Sequence, residues 1–326
     1  MIRRVEMTPE LSRLAEPIAA VYNEAYQGTG NYRPIEGDEL IAKARADRHF
    51  LGRLILVAEA DGEVEGCVSV EPVWQPNVGG DIYPYAGGEI VFQPSLLPAR
   101  GDNAEDTRRR LLREAKRALG SRGKTSVQMI VPEDDAAGRA LLMDEGFEEI
   151  ERMVSLRAEI ASQRGEASRC TARQMLPQDV AAVMDIHNSA FEDIRKLHKW
   201  EEMTADELAV LGKSVRGYDK RGMIVAEWRG HVVGYVTAMI DPVYNAAHGT
   251  RRGFIGFSQM GLAVSPRSQG LGVGRTLMLA ASASLLARGC CDVELITDRE
   301  SDQAMGFYRA LGFTEVRQWP ILEAPL

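Results

Sequence analysis

The chain has 326 residues, 45% hydrophobic and 26% charged, with a formal net charge of −8. That size and balance suit about two folded domains and exclude wholesale disorder or a fibrous repeat. The acidic balance also argues against nucleic-acid binding, which needs a basic stripe to neutralise phosphates.

From the N-terminus, MIRRVEMTPELSRLAEP has a basic start but no apolar core or cleavage site, so it is not a secretory signal. No apolar run reaches the roughly 18 residues of a membrane span, and a cytoplasmic protein without a membrane partner is expected. Tyr22-Asn23-Glu24-Ala25-Tyr26 begins a series of landmarks that returns as His187-Asn188-Ser189-Ala190-Phe191. Val57-Ala58-Glu59, with Gly62, Val64, Gly66 and Val68, matches Val225-Ala226-Glu227, with Gly230, Val232, Gly234 and Val236, at an offset of 168. Leu96 and Pro98 fall on Val264 and Pro266 at the same offset, and Gly146-Phe147 returns as Gly312-Phe313 at 166. Landmarks in one order at nearly one spacing mark a tandem duplication.

Each half reads as short strand, helix, variable helix, hairpin, central strand, helix, strand, helix and final strand. The polar stretch EIASQRGEASRC, residues 159–170, is the expected linker, giving halves at 1–160 and 168–326. In the second half the pattern predicts helices near 177–192, 204–213, 273–288 and 302–311. Strands are predicted near 169–175, 222–228, 231–241, 254–264, 292–297 and 313–322. Thr204 and Glu207 have the spacing of a capping box at a helix start. Cys67, Cys170, Cys290 and Cys291 form no CxxC pair and the histidines are scattered, so neither a disulfide framework nor a metal site is expected.

Chemistry concentrates between Gln259 and Met278. An apolar strand ends at Val264, Pro266 stops it, and a glycine-rich turn leads directly into a helix. Gly270, Gly272 and Gly274 let the backbone approach a ligand closely. The first amides of the following helix have no intrahelical acceptor, so turn and helix together suit an anion. No Gly-Lys-Ser/Thr follows and the spacing is not GxGxxG, which sets aside a Walker loop and a dinucleotide fold.

The pattern Val264-x-Pro266-x-x-Gln269-Gly270-x-Gly272-x-Gly274 resembles the acetyl-coenzyme A motif of the GCN5-related N-acetyltransferase (GNAT) superfamily. That family's second element, Asn-x-x-Ala-x-x-x-Tyr-x-x-x-Gly-Phe, is similar to Ser301 through Ala304, Tyr308 and Gly312-Phe313, with Ser301 in place of Asn. The resemblance covers about 168–326 and, in degenerate form, the first half. It implies an α/β (α+β) chain of two GNAT-like domains, each a mixed, mostly antiparallel twisted sheet flanked by helices. It implies acetyl-CoA as co-substrate, held at Gln269, Gly270, Leu271, Gly272, Val273, Gly274 and Arg275, with Ser301 nearby. The pantetheine arm would lie along Leu262, Ala263 and Val264, and either Arg267 or Arg275 would stand near a phosphate. Tyr308 would protonate the departing thiolate, which suits a phenol with pKa near 10.

The general base is left open among Glu192, Asp193, Asp241 and Glu294, because the central strand offers Ser258 and Gln259 where relatives place Glu. A water wire, or amine arriving deprotonated, is a further option. The acceptor pocket implied by the family involves His187, Asn188, Phe191, His198, Trp200 and Tyr244. The first half maps Gly101, Ala104 and Asp106 onto Gln269, Gly272 and Gly274, and Leu142 onto Tyr308. With Asp102, Glu105 and Asp106 there, like charges would repel a pyrophosphate, and the first half is expected neither to bind coenzyme nor to catalyse. Trp74–Tyr85 reads as a surface loop, or one over a pocket. The expected function is acetyl transfer from acetyl-CoA to the amine of a small molecule, using the second half. Alternatives are an acetyltransferase like the mycothiol synthase family, also tandem, or an acyl-CoA-binding sensor without catalysis.

Overall fold

The computed structural model describes residues 1–5, 9–28, 32–46, 54–72, 80–83, 98–131, 133, 135–162, 169–192, 202–206, 208, 219–256 and 260–326. The chain forms two units: Met1–Met153 with Arg317–Leu326, and Val154–Val316.

In the first unit, β1 (Ile2–Val5), β2 (Leu54–Ala60), β3 (Glu63–Pro72) and β4 (Gly80–Tyr83) pair antiparallel in that order. β4 then runs parallel to β5 (Ser126–Ile130). Successive side chains of a strand face opposite sides, and both sides of β2 are covered. Ile55 and Val57 pack with Ile18 and Tyr22 of α1 (Pro9–Tyr26) and Leu40 of α2 (Gly37–Ala46). Leu56 and Ala58 pack with Leu111, Leu112 and Leu119 of α3 (Ala104–Gly120) and Leu142 of α4 (Ala136–Asp144).

The second unit repeats this order. Its strands are β7 (Thr171–Gln174), β8 (Met223–Trp228), β9 (His231–Met239), β10 (Arg252–Ile255), β11 (Leu262–Val264) and β12 (Asp292–Asp298). Its helices are α5 (Val180–Ala190), α6 (Pro242–His248), α7 (Val273–Ala287) and α8 (Asp302–Ala310). The duplication extends to conformation. Both hairpins turn through two positive-φ residues, Asp61-Gly62 and Arg229-Gly230, and both carry a bulge, at Ala58/Glu59 and Ala226/Glu227. Arg3 bonds Glu59 at 2.7 Å, as Arg173 bonds Glu227 at 2.9 Å. Asn23 clasps the backbone of Ile35, and Asn188 clasps that of Met203, each through one donated and one accepted bond.

Two expectations change. The final strands are exchanged between units. β13 (Thr314–Pro325) supplies Ile321–Pro325 antiparallel to β5 of the first unit, while Val154–Glu159 of β6 (Glu148–Glu159) belongs to the second. The compact units therefore differ from the continuous ranges 1–160 and 168–326. The strand expected at 254–264 is divided between β10, which ends at Ile255, and β11, which begins at Leu262, and 257–259 lie outside the described residues. α6, absent from the predicted elements, has a local cause. Asp241 caps it by accepting from the Val243 and Tyr244 amides, Pro242 opens it and Gly249 closes it at φ 60°. Of the helix expected at 204–213, described residues place Ala205, Asp206 and Leu208 in helix; Glu207 lies outside them. So do His198, Trp200, Asp193, Ser258, Gln259 and most of Trp74–Tyr85. Among the described residues, no helix is long and apolar enough to cross a membrane.

Candidate active site

The second unit's sheet forks. β10 lies between β9 and β12, parallel to β12, and that ladder ends at Phe254↔Glu294. Among the described residues β11 continues on β9 alone, with Leu262↔Val236, Ala263↔Tyr235 and Val264↔Gly234. The Gly261 carbonyl and the Ser265 N–H both bond to β9, at Thr237 and Val233. Because peptide groups alternate along a strand, those of Leu262 and Val264 point the other way, into the fork. Of the three strand residues expected to meet a pantetheine arm, Ala263 turns its groups toward β9.

The glycine loop follows at once. A 3₁₀ turn at Pro266–Ser268 leads to extended Gln269, then to Gly270 and Gly272 at φ 74° and 78°. Gly272 caps α7, and the first intrahelical bond runs from the Thr276 N–H to its carbonyl. The amides of Val273, Gly274 and Arg275 thus have no acceptor within the helix and lie at its positive end. Gln269, Gly270, Leu271 and Gly272 are exposed, as are Arg267 and Arg275. Gly274 has a second reason to lack a side chain: a Cβ there would lie 3.2 Å from the Phe307 ring of α8.

That contact brings α8 to the loop, and Tyr308 follows Phe307 in it. The Tyr308 ring packs edge-on against Phe307 and Phe313, with centroids 5.1 and 5.7 Å away. Burial pushes its phenol up to about 12, so the hydroxyl keeps its proton throughout the neutral range. Ser301 caps α8, its hydroxyl accepting from the Ala304 N–H at 3.3 Å. That bond gives Ser301 a structural task in addition to any contact with coenzyme.

The expected acceptor residues separate into different environments. His187 Nδ1 lies 2.6 Å from the Tyr235 hydroxyl, in a buried pair between α5 and β9. Phe191 packs against His187, and Asn188 is committed to Met203. Tyr244 is buried and its hydroxyl accepts from Arg252 at 3.0 Å. The base candidates Asp241 and Glu294 also have structural partners: Asp241 is a fully buried helix cap, and Glu294 holds Arg157 and Arg252 at 2.9 and 3.1 Å. The His187–Tyr235 bond was not legible in the sequence, since its ends lie 48 residues apart.

The first unit replaces the loop with helix. Gly66 faces Thr107 and Leu111 as Gly234 faces Val273 and Leu277, so these helices correspond at an offset of 166 rather than 168. Gly270, Gly272 and Gly274 therefore correspond to Ala104, Asp106 and Arg108. α3 already begins at Ala104, and the Thr107 N–H donates to Asn103 at 2.9 Å. Its counterpart Val273 has no such acceptor. Glu105 and Asp106 point outward and pair with Arg109 and Arg110 one turn on. Leu142, at the Tyr308 position, is wholly buried core.

A duplicated mixed sheet, forked beside a glycine loop and helix N-terminus, defines a tandem acyltransferase fold of the GNAT type. Residues 180–313 match the acetyltransferase (GNAT) family. The tandem GNAT protein from the clavulanic acid biosynthesis pathway aligns over 100% of this chain and 98% of its own, with TM-score 0.72 and 13% identity. The mycothiol acetyltransferase of Amycolatopsis mediterranei is 27% identical over 273 residues, 81% of this chain and 82% of that one. That of Frankia alni is 34% identical over 146 residues, 44% of this chain and 42% of that one. Residues 180–313 therefore form an acetyltransferase domain of the GNAT family, in a chain whose whole fold is that of tandem GNAT proteins, and the protein is an acyltransferase.

Proposed function

We propose that the second half, 168–326, is an N-acetyltransferase that moves the acetyl group of acetyl-CoA to the amine of a small molecule. The first half, 1–160, is then a non-catalytic companion. The observation that carries this reading is the contrast between the units. A helix N-terminus opening directly on a glycine loop and a phenol stand together in the second, where the first has a helical turn and Leu142.

In this reading, the amides of Val273, Gly274 and Arg275 meet the coenzyme pyrophosphate. Leu262 and Val264 pair with the pantetheine arm along the open edge of β11. The amine nitrogen attacks the thioester carbonyl, a C–N bond forms, and the C–S bond breaks. The departing sulfur takes the Tyr308 proton, and the amine proton leaves to solvent. The elevated pKa of Tyr308 keeps that proton available at neutral pH. With Asp241 and Glu294 engaged elsewhere, the amine proton is left to Glu192 or Asp193, to a water chain, or to loss before the amine arrives.

A mycothiol-related amine is a second reading of the acceptor, favoured by the mycothiol acetyltransferase relative that aligns across both halves. The experiment is coenzyme release from acetyl-CoA across a panel of amines that includes such a compound, with Tyr308→Phe alongside. Turnover with at least one amine is expected, falling on the order of 10²–10⁴-fold in the variant. Unchanged turnover in the variant would remove Tyr308 from the acid role. Tight coenzyme binding without turnover on any amine would favour a sensor.

A further inference from the structure

The root of the fork is held by one residue of β9. Ile255 of β10 stands opposite Ala238, and Leu262 of β11 stands opposite Val236. Thr237 is therefore the residue of β9 between these two ladders. It bonds the residue that follows β10 and the one that precedes β11. Its carbonyl accepts from the Gly256 N–H at 2.9 Å, and its N–H donates to the Gly261 carbonyl at 3.1 Å. The side chain adds a third bond: the wholly buried hydroxyl donates to the Met260 carbonyl at 2.5 Å.

The first two bonds are backbone bonds that any residue except proline at 237 would allow. The third depends on a hydroxyl, and it fixes the residue just before β11 departs. Met260 is fully buried, so no water replaces a missing donor there without rearrangement. From that point the chain reaches Leu262 and Val264 within four residues, and their outward peptide groups are the edge offered to the substrate arm.

We propose that Thr237 is a positioning residue for acyl transfer: its hydroxyl sets the path of β11 and so the alignment of the thioester arm. The proposal rests on the coenzyme reading of the fork. Small displacements of a reacting group are costly in rate, whereas the glycine loop is anchored separately, through α7 and Phe307. Thr237 therefore acts on the arm and leaves the pyrophosphate contact alone.

The test compares Thr237→Val and Thr237→Ser by calorimetry with coenzyme A and with ADP, which carries a pyrophosphate but no arm, together with steady-state kinetics. For Thr237→Val, coenzyme A affinity should fall on the order of fivefold or more, and kcat on the order of 10-fold or more. ADP affinity should stay within about twofold, as expected for an untouched loop. Thr237→Ser, which retains the hydroxyl, should recover most of both losses. Thr237→Ala replaces the valine variant if that one does not fold. Wild-type coenzyme affinity and kcat in the hydroxyl-free variant, or ADP affinity falling in step with coenzyme affinity, would overturn the proposal. Wild-type protein that binds ADP and coenzyme A equally would also overturn it, because the arm would then contribute nothing. Wild-type protein that binds neither would overturn the coenzyme reading itself, and this proposal with it.

Discussion

Gly234 stands opposite Val264 across β9 and β11, and α7 packs so closely on it that no side chain fits. A Cβ there would lie 2.9 Å from the Ala263 carbonyl oxygen, 3.0 Å from Leu277 and 3.1 Å from Val273. The same residue therefore sets both how near β11 lies and where the first turn of α7 begins. Gly66 has the corresponding place in the first unit, with Thr107 and Leu111 at 2.9 and 3.0 Å. Gly234→Ala and Gly66→Ala should each destabilise the fold by about 1–3 kcal/mol through overpacking. They should differ in coenzyme binding: weakened by Gly234→Ala, unchanged by Gly66→Ala at a temperature where both remain folded. Thermal melts with calorimetry measure both quantities, and equal losses of affinity would contradict a single site in the second unit.

The exchanged strand makes the C-terminus a structural part of the first unit. Leu322 and Ala324 are buried among Leu112, Val127, Met129 and Phe147, far from them in sequence. Leu322→Ala removes the three terminal carbons of the side chain from a packed core, which costs about 2–5 kcal/mol. The loss should appear as earlier proteolytic cleavage within residues 1–153, with 154–316 protected longer. Cleavage that starts in the second unit would show that the strand stabilises the wrong partner for this assignment.

Asp219 offers a pH-dependent contribution with a definite sign. Its carboxylate accepts from the Arg221 side chain at 2.7 Å and the Arg221 amide at 2.9 Å, with Arg288 at 3.4 Å. Chiefly through the Arg221 side-chain bond, against an opposing cost of burial, its pKa falls to about 2 from an ordinary 3.8. A carboxyl with a depressed folded-state pKa adds stability that is complete above its unfolded value and is lost as pH falls through the folded one. The window is therefore from about pH 4 down to about pH 2. Asp219→Asn should lower stability at neutral pH and flatten the acid limb of chemical denaturation in that window. An acid limb identical to wild type would mean that the ion pair contributes nothing.

Much of this architecture was legible because physics leaves local marks. The repeated hairpins announce themselves through Asp61-Gly62 and Arg229-Gly230, and the loop through glycines at 270 and 272 that take positive φ. Asp241-Pro242 and Gly249 are likewise local marks of α6, set between two stronger strand patterns. The strand exchange had no local mark. Leu156 and Ala158 of β6 match Leu322 and Ala324 of β13 at an offset of 166, and all four are buried. Two strands with the same apolar pattern fit either sheet, so pattern alone assigns neither. The fork was hidden for a related reason: Ile255 and Leu262 both read as strand, and the break between them is set by bonds to Thr237 on another strand. The correspondence of Asp106 with Gly272, rather than with Gly274, likewise depends on which residues touch Gly66 and Gly234.

That corrected correspondence gives a sharp test of the anion site. Gly272 sits at φ 78°, a conformation that Asn and Asp tolerate better than most side chains do. Gly272→Asn therefore measures the cost of adding a side chain of this shape, and Gly272→Asp adds one negative charge to it. If the α7 amides meet a pyrophosphate, the charge should weaken coenzyme binding well beyond the neutral variant, because like charges repel at close range. A ratio on the order of 10-fold or more between the two variants is expected at low salt, narrowing as ionic strength rises and screens the pair. In the first unit, Asp106→Gly should not create coenzyme affinity, since the Thr107 amide there is already bonded to Asn103 and no loop is present to open. Calorimetry on the three variants separates charge from backbone. Equal affinities for Gly272→Asp and Gly272→Asn at low salt would place the pyrophosphate elsewhere.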